Sequence, residues 1–272
     1  MVQHLGFRPE NDIEGTHWGF SRLKANLPGQ SGSDLRGFAS PRHNQGHTSS
    51  CVAQSTVKAL ELKRIMKHGV TAHVDLSRLA VYYLARELMS PNETNKDEGT
   101  HISLAADVLR RFGICRENPI LGATNDRSYW PFDATKIMTP PSWGSMRQAY
   151  LHKISAWYKI YSKGQDRVGD VIQALASGSP VVYGTQIGDN WFKYDGTPIE
   201  KTAGTIAGGH ATVLVGWDPQ GDFFWGENSW GRGWGPDDGF YKIRPDVIAS
   251  QMSSDFVVFT CGWEPWAEVK TV

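Results

Sequence analysis

Cys51 stands where a run of small polar residues, Thr48, Ser49 and Ser50, gives way to a segment of helical period. A helix start carries unpaired backbone N–H groups and the positive end of the helix dipole, and both favour a thiolate over a thiol. A thiolate attacks acyl carbon, but it needs a partner that keeps it ionised and then protonates the leaving group. Imidazole titrates in the range that this requires. Of the nine histidines, His210 is set apart because it opens the strand-like GGHATVLVGW, where Gly209 and its neighbour allow close approach of backbone or substrate. His4, His17, His43, His68, His73 and His152 are expected to be solvated surface groups. His47 and His101 stay open between a place near a cleft and an ordinary loop or helix-start position.

An imidazole that shuttles protons must be held in one orientation. Asn228, in WGENSWGRGWG, offers a side-chain carbonyl to accept the ring N–H, and Trp230 and Trp234 could shield that bond from water and so strengthen it. Gln45, six residues before Cys51, could donate its amide to an oxyanion beside the Cys51 backbone N–H. Each residue also has a plainer reading. Cys51 could be an inert buried thiol, His210 a satisfied core histidine, Asn228 a turn residue and Gln45 part of an NQG turn. Cys115 and Cys261 each end an apolar run with no histidine beside them, and they are read as inert.

These residues require particular elements to carry them. From Ser50 to His68 apolar residues recur on two sides of a helix that Gly69 ends, so this helix is expected to be central. Ser77 caps a second helix through about Met89, and HISLAADVLRRFG forms a third that stops at Gly113. A polar, Pro-rich stretch from Asn118 to Trp143 follows, then a helical pattern around Val168 to Ala176. After Pro180 come PVVYG, HATVLVGW, DFFWGEN, GFYKI and DFVVFT, short runs rich in β-branched and aromatic residues between turn signals. Segregated helices and strands predict an α+β fold of two lobes with a cleft between them.

The 272 residues suffice for such a core, and the 28 basic and 28 acidic side chains balance, so neither nucleic acid nor an acidic membrane is an expected partner. Three widely spaced cysteines without a CxxC pair predict no metal, and no cofactor is expected. No apolar run reaches the length of a signal peptide or a membrane span, which predicts a reducing, cytoplasmic setting on synthesis, with virion association or non-classical release left open.

NQGHTSSCVAQS, GGHATVLVGW and ENSWGRGWGPDDGFYKI, in this order, resemble the cysteine, histidine and asparagine boxes of the papain-like cysteine peptidases, papain family C1. DLRGFASPRHNQGHTSSC, LSRLAVYYLARE, KDEGTHISLAADVLRRFGIC and GSPVVYG are similar to its compact bacterial and phage-borne branch. The resemblance implies a helical left lobe (about 35–140) and an antiparallel β-barrel right lobe (about 141–272), with Cys51 facing His210 across the cleft. The substrate is then a polypeptide, cut by way of a thioester acyl-enzyme. It further implies that Gly99 and Thr100 lie along the substrate backbone and that Ile102 and Ala211 lie near the P2 side chain. Gly209, Ser49 and Ser50 complete the candidate substrate-binding set.

The chain departs from the family pattern at three of these places: Ser49 replaces a glycine, Val52 a tryptophan, and Thr100 the second of two glycines. Ser49 and Thr100 motivate an alternative, a catalytically silent papain-fold component with a virion or other protein assembly as partner. Amide transfer or deamidation by the same Cys-His-Asn set is a further alternative. Residues 1–34 are shorter than the usual inhibitory prosegment and are expected to form a strap over the cleft.

Overall fold

A computed structural model describes residues 5–10, 19–20, 32–123, 125–200 and 204–262. His4, His17 and most of the 1–34 extension therefore lie outside the described residues. Strand β1 (Ser33–Asp34) precedes three helices, α1 (Cys51–His68), α2 (Arg78–Met89) and α3 (Ile102–Arg111). The second half carries β2 (Ala156–Lys159), α4 (Gly164–Ala176), β3 (Val181–Ile187), β4 (Gly208–Asp218), β5 (Phe223–Glu227), β6 (Phe240–Ile243) and β7 (Ser253–Thr260). The helix boundaries follow the chemistry of their ends. Ser77 Oγ accepts from Ala80 N at the start of α2, and Gly69, at φ +85°, closes α1 with its N–H on Ile65 O at 2.8 Å. β2, not anticipated from the sequence, is buried along its whole length, so its residues AWYK show no alternation to betray a strand.

The strands form one antiparallel sheet in the order β2-β7-β3-β4-β5-β6, with β1 pairing on β4. The mixed helical and antiparallel character is as expected, but among the described residues the ends β2 and β6 are not paired and the sheet does not close as a barrel. α1 is buried against α2 and α3 on one side and against β4 on the other, which is why both of its apolar sides are used.

Its burial also takes in charged residues. Lys58 Nζ lies 3.1 Å from the Glu227 carboxylate and donates to Pro41 O at 2.7 Å. Glu61 accepts from Ser40 Oγ at 2.6 Å and from Leu76 N at 2.9 Å, with His43 Nε2 at 3.1 Å. His43 is thus an interior residue, 4% exposed, and His152 is 6% exposed; both had been expected at the surface. A charge-rich neighbourhood in sequence hides such burial, because the partners come from distant segments.

Burial holds the pKa of His43 down at about 3, and those of His152 and of His210, on β4, at about 4, all from an ordinary 6.5. Since each folded value lies below the unfolded one, the unfolded chain takes up protons first as the pH falls. The stability held by the three neutral rings is intact above pH 6.5 and is lost on acidification towards about 4. The unfolding free energy from urea titration should therefore fall steadily between these limits, by up to about 1.4 kcal/mol per pH unit for each histidine. A flat profile would contradict their burial as neutral rings.

Candidate active site

Cys51 is the first residue of α1 and is fully buried. Backbone amides of Ala211, Gly6 and Val52, together with its own, lie near enough to the sulfur to favour the thiolate. Despite them the thiol pKa is pushed up, to about 11, because burial is the larger effect. The helix start was expected to lower it, and here that influence is outweighed by the removal of water from the sulfur. The Ala211 contact ties Cys51 to the residue after His210, so the helix start and β4 meet at this point.

His210 is fully buried, with Nε2 2.9 Å from Asn228 Oδ1. In this orientation the amide oxygen accepts, so Nε2 carries the proton and Nδ1, which has no hydrogen-bond partner among the described residues, is the basic nitrogen. Burial lowers the imidazole pKa to about 4, opposed by the bond to Asn228. Trp230 lies over the pair, its ring centroid 4.8 Å from that of His210, and Trp234 packs edge-on to Trp230 at 5.3 Å. Trp191, which the sequence did not single out, presents an edge to His210 at 6.2 Å. Gln45 Nε2 donates to Thr48 O at 2.8 Å and its Oε1 accepts from Ser229 Oγ at 2.6 Å, so its amide is fixed between the segment before Cys51 and the asparagine loop.

The remaining candidates divide into two groups. Gly99, Thr100, Gly209 and Ser49 border one channel, and segment 5–10 of the same chain runs through it. Thr100 N donates to Gly6 O at 2.9 Å, Arg8 N donates to Thr100 O at 3.1 Å, and Phe7 N donates to Gly209 O at 3.2 Å. A Cβ on Gly6 would stand 1.8 Å from Ser49 O, and one on Gly99 would stand 1.9 Å from Gly6 O, so the backbones touch with no room for side chains. The Phe7 ring fills the space that a side chain at Gly184 would take, 2.1 Å from that virtual Cβ. Ile102 and Ala211 are both buried, the first at the start of α3 and the second on β4 beside His210. Ser50 belongs elsewhere: its hydroxyl is 2.7 Å from that of Thr48 and accepts from Gln54 at 3.1 Å.

His101 donates through Nδ1 to Arg8 O at 2.7 Å, which places it beside the channel, whereas His47 is exposed. The wall bearing Gly99 and Thr100 is fixed by residues that sequence reading passed over. Tyr82 Oη donates to Asp97 at 2.7 Å and accepts from Gly99 N at 3.0 Å, while Asp97 also accepts from Ser49 N at 2.9 Å. Their only sequence signal was membership of LSRLAVYYLARE and KDEGT.

Comparison with known proteins identifies the family and the fold. An uncharacterized peptidase C1-like protein of Acanthamoeba polyphaga mimivirus is 27% identical over 223 residues, 78% of this chain and 67% of its own. Cathepsin B-like protease 1 of Arabidopsis thaliana is 32% identical over 93 residues, a stretch that covers 32% of this chain but 24% of that protein. The crystal structure of xylellain, a cysteine protease from Xylella fastidiosa, superposes with a TM-score of 0.75 over 95% of this chain and 96% of its own, at 24% identity, and so attests the fold. Residues 32–260 match the papain family cysteine protease domain across the helix of Cys51, the strand of His210 and the loop of Asn228, and on that span the chain belongs to the papain family of cysteine proteases.

Proposed function

We propose that the chain is a cysteine endopeptidase in which Cys51 is the nucleophile and His210 the acid and base. The observation that carries this reading is the path of residues 5–10. An extended peptide lies along the channel, bonded on one side to Thr100 and on the other to Gly209, with the Gly6 backbone amide near the Cys51 sulfur. A cleft that holds one peptide backbone in this way is built to hold another. Thr100 contributes only its backbone to these bonds, so its departure from the family glycine leaves them intact, which argues against the silent alternative.

In the reaction the Cys51 thiol gives its proton to His210 Nδ1, and the sulfur adds to the scissile carbonyl carbon as the carbonyl electron pair moves onto its oxygen. The Gln45 amide and the Cys51 backbone N–H are assigned to the oxyanion. As the intermediate collapses, His210 gives its proton to the departing amine and a thioester remains. His210 then removes a proton from water, the hydroxide adds to the thioester carbon, and the C–S bond breaks to release the acid and regenerate the thiolate. Asn228 keeps the ring in the tautomer that this requires.

Segment 5–10 acts on this reading as a strap that keeps the site closed. It desolvates Cys51 and His210 together, leaving a thiol and a neutral imidazole, the unreactive charge state. Burial of the Phe7 ring, worth on the order of 2 kcal/mol, holds the strap more firmly than the partly exposed Arg8–Glu93 pair does.

Two outcomes test the proposal. Cys51→Ala should abolish release of acid and amine products from denatured protein, and His210→Ala should slow it about a thousandfold or more. Transfer to an added amine in place of hydrolysis would redirect the assignment to amide transfer, and product formation that does not depend on Cys51 would overturn it. Gly6→Ala, in the full chain, should expel the strap because its methyl group collides with the Ser49 carbonyl. Labelling of Cys51 by an epoxysuccinyl peptide should then quicken about tenfold or more and reach its plateau at lower pH. An unchanged rate would remove the strap from the mechanism.

A further inference from the structure

Three residues after Phe7, the strap meets a second feature that the proposed chemistry does not use. Lys159 on β2 is 1% exposed, and its Nζ lies 2.6 Å from Asp255 Oδ1 and 3.1 Å from Glu10 Oε2. Ser103 on α3 donates its hydroxyl to the other Glu10 oxygen. Asp255 Oδ2 accepts the backbone N–H of the same Glu10 at 3.3 Å. One residue is thus read twice, by a cation and a hydroxyl at its carboxylate and by a carboxylate at its main chain.

The fold bears a cost to present these groups. Val182 pairs with Val257 and Gly184 with Ser254, so two residues of β7, Asp255 and Phe256, oppose the single Tyr183. This is a bulge, and in it Asp255 adopts φ +55°, a conformation that side-chain-bearing residues rarely take. Such strain persists where surrounding contacts over-determine it and concentrates at functional sites. Gly184, at the other side of the same irregularity, provides the space into which Phe7 packs.

We infer that Ser103, Lys159 and Asp255 form a subsite of the cleft that selects a glutamate side chain in polypeptides, which Glu10 fills while the strap is in place. The inference rests on the peptidase reading for its substrate, but the recognition itself is a matter of binding. A glutamine of equal length could keep its oxygen on Lys159 and donate its NH2 group to Ser103 Oγ, but without the carboxylate charge both bonds lose their charge-assisted character. Loss of one charge-assisted bond of this kind amounts to about tenfold or more.

The test uses the full chain carrying Gly6→Ala, with peptides in which a glutamate or a glutamine is moved along the positions on both sides of a phenylalanine. At one position glutamate should give a kcat/KM about tenfold above glutamine. Lys159→Met should erase the difference by lowering the glutamate rate towards the glutamine rate. Ser103→Ala, which retains the buried ion pair, should reduce it even if the first variant folds poorly. Turnover with equal rates for glutamate and glutamine at every position overturns the inference and leaves the peptidase reading standing. If no peptide is cut, binding decides: the peptides LGFRPE and LGFRPQ are titrated against the Gly6→Ala, Cys51→Ala chain. Tighter binding of the first upholds the subsite although the catalytic reading has failed, and equal binding overturns it.

Discussion

The seating of the first turn of α1 against β4 is the contact on which the rest depends. It brings the sulfur of Cys51 under the Ala211 N–H, one residue from His210, and so joins a group supplied by the helices to a group supplied by the sheet. A single turn could not hold that distance by itself. Two turns further along, Lys58 reaches across to Glu227, the residue before Asn228, and fixes α1 to the strand that leads to the histidine's partner. A buried ion pair of this kind adds little net stability, because removing both charges from water costs nearly as much as their attraction returns. Its value is directional, since Lys58 and the nearby Arg42 both converge on the buried Glu227 carboxylate and fix where it sits.

Desolvation then decides the state of the site. The N–H groups around Cys51 and the carbonyl of Asn228 favour the charged pair, whereas burial favours the neutral one, and with residues 5–10 in the channel burial prevails. Both shifts run in the unreactive direction at once: the thiol becomes harder to ionise and the imidazole harder to protonate. The same polar groups, with water admitted, are those that would stabilise a thiolate and an imidazolium. On the proposed reading, the strap would control reactivity through the dielectric around the pair as well as by filling the space.

The channel also shows how irregular backbone is placed. Gly6 against Ser49, and Gly99 against Gly6, are contacts between main chains that a single methyl group would prevent. The bulge at Asp255 turns a carboxylate towards Lys159 where a regular strand would have aimed it elsewhere. Both features lie along the path of one extended peptide, which is where an enzyme of peptides has reason to depart from ideal geometry.

Much of this was legible in the residues alone. The Gln45, Cys51, His210 and Asn228 boxes could be read because their chemistry depends on local context: a helix start, a glycine-flanked strand and a tryptophan-covered loop are each written within about a dozen residues. The helix ends at Gly69 and Gly113 and the strands after Pro180 were legible for the same reason, since caps and alternation are local signals. What depended on distant partners was not. The burial of His43, the Tyr82–Asp97 support of the channel wall and the sheet's failure to close among the described residues come from segments more than ten residues apart. Sequence determined which groups could react, because reactivity is chemical type and near neighbours. Only the tertiary structure decided which of them are charged, which are covered and by what, because desolvation is a property of everything packed around a group, whatever its place in the chain.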